Sequence, residues 1–74
     1  MRPWNEKMGA ALRFYRTQAK LTQMQVQEMT GISQGWLSVL ENGTQDNRYC
    51  LDTVIMLART YDTTVSQIMA TADL

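Results

Sequence analysis

The 74-residue chain has no histidine, one cysteine, one proline and four glycines, and each scarcity removes something. Without histidine, and with a single cysteine, a zinc site built from the usual ligands is ruled out; no metal and no other cofactor is expected. One cysteine cannot form an internal disulfide. A lone thiol fits a reducing compartment, and Cys50 reads as a small, partly buried apolar residue. With proline confined to Pro3 and glycine to positions 9, 31, 35 and 43, little interrupts the chain and helices are favoured. The longest strictly apolar run, Val54-Ile55-Met56-Leu57-Ala58, is far below the roughly 18 residues that cross a bilayer. Arg13 and Arg16 break any N-terminal stretch that would serve as a secretory leader. A cytoplasmic location away from membranes is therefore expected. There is also no acid pair in a pocket-forming context and no phosphate-binding glycine loop, so the chain is not expected to be an enzyme.

Formal charge is zero overall but uneven along the chain. Residues 1–40 carry five basic and two acidic residues, whereas residues 41–74 carry two basic and five acidic. A basic half suits a polyanionic partner. The length allows one domain, residues 1–74, divided into an arm (1–5), a core (6–70) and a tail (71–74).

Hydrophobic spacing predicts five helices. The first runs from about Asn5 to Ala19, with Met8, Ala11, Leu12 and Tyr15 at i, i+3, i+4, i+7; Leu21 follows as a buried linker. Thr22 caps the second, with Gln25 three residues on as in a capping box. Val26 and Met29 point inward, and Gly31 ends the helix in the left-handed conformation. Ser33 caps the third, to which Trp36, Leu37 and Leu40 supply apolar bulk before Asn42-Gly43 stops it. A polar loop from Thr44 to Arg48 leads to a fourth helix, about Tyr49 to Thr60. Its core residues are Leu51, Val54, Ile55, Leu57 and Ala58, followed by Tyr61. Thr64 caps a fifth with Val65, Ile68 and Met69 inward.

Two short helices joined by a glycine-containing turn, over residues 21–43, read as a helix-turn-helix. The pattern is Leu21-Thr22-Gln23, Val26, Gly31-Ile32-Ser33, Leu37-Ser38 and Glu41-Asn42-Gly43. It resembles the lambda-repressor/Cro superfamily, also called the xenobiotic-response-element family, over about residues 8–70. The resemblance implies a compact all-α, five-helix DNA-binding domain whose third helix enters the major groove. It also implies a set of contact positions. Gln23 resembles the family glutamine that binds phosphate and buttresses the reading side chain. Ser33 caps the reading helix and leaves its N-terminal N–H groups outward, where a phosphate is favoured. Gln34 and Gly35 are the first exposed positions, with Trp36 beside them and Ser38 and Val39 a turn further on. Gln34 has the groups for a bidentate bond to adenine, and Val39 for contact with a thymine methyl. Asn42, Gly43 and Thr44 resemble the family's phosphate loop, to which Arg48 adds a contact. Arg16 and Glu41 resemble its structural ion pair.

Four residues depart from the pattern. Gln27 replaces a small alanine and implies looser packing or an outward side chain. Gly35 leaves a reading position blank, at roughly 1 kcal/mol relative to alanine. Trp36 is bulky, and Asp62 stands for a glycine in a turn whose conformation aspartate tolerates. The function implied is a sequence-specific transcriptional regulator of phage or mobile-element type. It would be a repressor acting as a homodimer on palindromic double-stranded DNA, with Ile68, Met69 and Leu74 at the dimer surface. The alternative is a helix-turn-helix modulator that binds protein: an antirepressor docking on another regulator, or an antitoxin docking on a toxin. With no sensory domain in view, any signal is expected to act through another protein, proteolysis or concentration.

Overall fold

Side-chain caps set three of the helix starts in the computed structural model, which describes residues 3–43 and 49–73. The elements are α1 (Pro3–Gln18), α2 (Gln23–Thr30), α3 (Gln34–Asn42), α4 (Leu51–Thr60) and α5 (Val65–Thr71), with no strand among the described residues. The expected all-α, five-helix fold is the observed one. Thr22 accepts from the Gln25 N–H at 3.1 Å while Gln25 accepts from the Thr22 N–H at 2.8 Å, completing the capping box. Ser33 and Thr64 cap α3 and α5 through the hydroxyl alone, accepting from the Trp36 and Gln67 N–H groups. Gly31 ends α2 at φ +81°, and Asp62 takes the left-handed conformation at φ +56°.

Two boundaries differ from expectation. α1 begins at Pro3 rather than Asn5, as suits a proline at the first helical position. Residues 3–5 of the expected arm are thus helical; residues 1 and 2 lie outside the described residues. Asn5 is fully buried, and the Trp4 ring meets Tyr49 edge-on at 5.7 Å. α4 begins at Leu51 rather than Tyr49. The Tyr49 hydroxyl lies 2.6 Å from the Leu40 carbonyl oxygen and 3.0 Å from that of Asn5, which ties the approach to α4 onto α3 and α1. Cys50 is exposed, not partly buried, and as N-cap of α4 it makes no side-chain cap bond.

The core draws Met8, Ala11 and Leu12 from α1, Val26 from α2 and Leu37 from α3. Val54, Leu57 and Ala58 of α4, Tyr61 after it, and Ile68 of α5 complete it with Ala72. Tyr15 bridges to α5, its hydroxyl 2.7 Å from that of Thr71. α1 and α3 share the most extensive contact. Their backbones meet at Gly9, where an added Cβ would lie 2.6 Å from the Leu40 carbonyl oxygen and collide with that of Glu41.

Four residues assigned inward or to a partner surface move. Met29 is 59% exposed, because α2 turns Gln23, Val26, Gln27 and Thr30 inward instead. Leu51 is 63% exposed, at the first position of α4, and Met69 is also exposed. Ile68 is wholly buried and cannot serve a dimer surface. Leu74 lies outside the described residues.

Candidate nucleic-acid interface

The inward stripe of α2 is mostly polar, and its groups hold the head of α3. A ladder of side chains runs from α1 to that point. Arg16 donates to Glu41 through Nε (2.7 Å) and Nη2 (3.0 Å), and through Nη1 to the Leu21 carbonyl (2.8 Å). The Glu41 side chain is 1% exposed and that of Arg16 17%. The hydrogen bond to Glu41 raises the Arg16 pKa above its ordinary value against the opposing effect of burial. Gln23 Nε2 donates to Glu41 Oε1 at 3.1 Å, and Gln34 Nε2 donates to Gln23 Oε1 at 2.7 Å.

The ladder has a fixed sense. An ionised carboxylate only accepts, so Gln23 must offer Glu41 its NH2 group. Its carbonyl oxygen then faces Gln34, which must in turn present its own NH2. Gln34 keeps one N–H and its carbonyl oxygen for other partners, the pair that adenine N7 and N6–H2 require.

Gln27 neither loosens the packing nor turns outward. It is half-buried, and its Oε1 accepts from the Gln34 backbone N–H at 2.7 Å. Ser33 Oγ takes the Trp36 N–H at 3.1 Å. The N-terminus of α3 is therefore not a row of free donors. Of its first three N–H groups only that of Gly35 lacks a partner among the described residues, and an added Cβ there would meet nothing within 4 Å. Sequence reasoning missed this use of Gln27; the signal available was a long amide where the resembled pattern has a methyl group.

The other expected contact residues divide. Trp36 is 44% exposed, and Ser38 and Val39 are half-buried. Asn42 is exposed and accepts from Arg13 Nη2 at 2.7 Å; Arg13, itself exposed, also lies 3.6 Å from Glu41. Gly43 is buried at φ +60°, its N–H already given to the Val39 carbonyl, and a Cβ there would fall 2.6 Å from the Asn5 carbonyl oxygen. It packs α3 against α1 and has no N–H left for a phosphate. Thr44 and Arg48 lie outside the described residues.

Residues 9–74 match the family model of the helix-turn-helix domain. The chain belongs to that helix-turn-helix family. No curated protein and no solved structure matches it. Within the helix-turn-helix, α2 and α3 are the two helices, Gly31-Ile32-Ser33 is the turn, and the ladder crosses from one helix to the other. Among the described residues no helix is long and apolar enough to cross a membrane.

Proposed function

We propose that this helix-turn-helix protein is a sequence-specific DNA-binding regulator of the lambda-repressor/Cro kind, a repressor acting as a homodimer on a palindromic operator. The observation that carries the reading is the ladder Arg16–Glu41–Gln23–Gln34, which holds one amide at the head of α3 with its adenine-matching atoms unused. In this reading Gln34 reads a base, Gly35 lets DNA approach its open N–H, and Val39 and Ser38 line the groove. Gln23 adds a phosphate contact through its second N–H, and Asn42 lies at the flank. Arg16 and Glu41 are structural. A module this small reads few base pairs, so two copies on half-sites about 34 Å apart are needed for useful specificity.

Selection from pooled random-sequence duplexes at low and moderate salt tests the reading. The expected result is enrichment of a palindromic motif, lost in Gln34→Ala. Absence of any enriched motif overturns it. A second reading, docking on a protein such as another regulator or a toxin, is favoured by one observation: Trp36 stands exposed on α3, and aromatic residues are preferred anchors at protein interfaces. Loss of partner capture in Trp36→Ala, with DNA selection failing, would establish it.

A further inference from the structure

The fourth helix has two stripes with the same i, i+3, i+4, i+7 spacing. Val54, Leu57, Ala58 and Tyr61 make the buried one. Asp52, Ile55, Met56 and Arg59 make the other, two residues out of phase and so on the opposite side of the helix. This outer stripe is acidic at one end, apolar in the middle and basic at the other. Asp52, Met56 and Arg59 are exposed and Ile55 is half-buried. Neither Asp52 nor Arg59 forms an ion pair with another described residue.

Such a stripe is its own complement. In a two-fold interface, residue i meets j of the partner and j meets i. Two α4 helices laid antiparallel place each Asp52 against the partner's Arg59 and each Ile55 against the partner's Met56. No other α4 register satisfies both charges and covers both apolar residues.

We infer that the outer face of α4 is the homodimer interface, packed antiparallel about a two-fold axis between Ile55 and Met56. This specifies the homodimer of the proposed regulator and rests on that part of the reading alone. It replaces the fifth-helix surface, whose central residue is buried. One ten-residue helix per copy falls short of the about 800 Å² per partner of a standard interface, so dissociation constants in the range of tens of micromolar, on the order of −6 kcal/mol, are expected without DNA.

Sedimentation equilibrium of the full chain without DNA tests the inference, with circular dichroism confirming that each variant stays folded. Wild type should dimerise. Asp52→Arg and Arg59→Asp should each be monomeric, since each sets like charges against each other. An equimolar mixture of the two single variants should form a heterodimer, and the double variant D52R/R59D should dimerise again. Both charges also suit the dipole of their own helix, but a purely intrahelical role predicts no rescue, because the double variant opposes the dipole at both ends. Single variants that dimerise like wild type, or single variants that fail to re-pair on mixing, overturn the α4 surface and leave the DNA reading and the homodimer untouched. A wild-type chain that stays monomeric overturns the surface and the homodimer together, while duplex selection still decides recognition.

Discussion

At the scale of single residues, the Arg16–Glu41 pair is asymmetric in its exposure, and the asymmetry predicts unequal variants. Removing Glu41 leaves a guanidinium that keeps 17% of its side chain in water, whereas removing Arg16 strands a carboxylate that is 1% exposed. Glu41→Ala should cost about 3 kcal/mol, the lower end for breaking a buried pair, and Arg16→Ala more. Against a total stability of about 4 to 11 kcal/mol for a domain of this length, either loss should show plainly in urea denaturation. Tyr61 provides a different test. Burial, reinforced by the Glu41 charge, pushes its hydroxyl up to about 12, and that hydroxyl has no hydrogen-bond partner among the described residues. The unfolded chain ionises near 10 while the folded one holds its proton. The stability Tyr61 contributes is therefore whole below pH 10 and lost as the pH rises through about 12. Tyr61→Phe should be no less stable at neutral pH and should unfold at a higher pH in an alkaline titration.

At the scale of elements, two glycines make opposite predictions. Gly9→Ala drives a methyl group into the α3 backbone and should destabilise by about 1 to 3 kcal/mol. Gly35→Ala sits in open space within a helix and should stabilise by up to about 1 kcal/mol. Thermal melts of the two variants should move in opposite directions. Helix starts and stops were legible in the sequence wherever the residue at the end itself makes the cap: Thr22, Ser33 and Thr64 through their hydroxyls and Gly31 through its left-handed backbone. Where the determinant is a distant contact, local reading had nothing to work with. Trp4 joins α1 because Tyr49 packs on it, and Tyr49 leaves α4 because its hydroxyl goes to Leu40 and Asn5. Met29 was misassigned for a related reason. A hydrophobic criterion places methionine inward, but α2 buries the glutamines that bond across to α3.

At the scale of the whole molecule, the excess of basic residues before position 40 is modest, so few phosphates are neutralised by each copy. Log affinity for an operator should fall with log salt at a slope near 0.9 per phosphate neutralised. Gln34→Ala removes no charge and should weaken operator binding by about 1 to 3 kcal/mol without changing that slope; affinities measured across a salt series check both. Fold and the identity of the ladder residues could be read from sequence through the resemblance that residues 21–43 carry. The polarity of the ladder could not, since it depends on which atoms meet between Arg16 and Glu41, 25 positions apart in the chain.

That polarity bears on how base preference would change over generations. The amide at the head of α3 faces as it does because a carboxylate two side chains away tolerates only one orientation of its neighbour. Substitutions at Gln23, Gln27 or Glu41 would then alter what Gln34 selects without touching the base it meets. A library that randomises Gln34 alone samples letters under a fixed grammar. One that also varies the supporting amides changes the grammar, and should recover operator preferences that the first never yields.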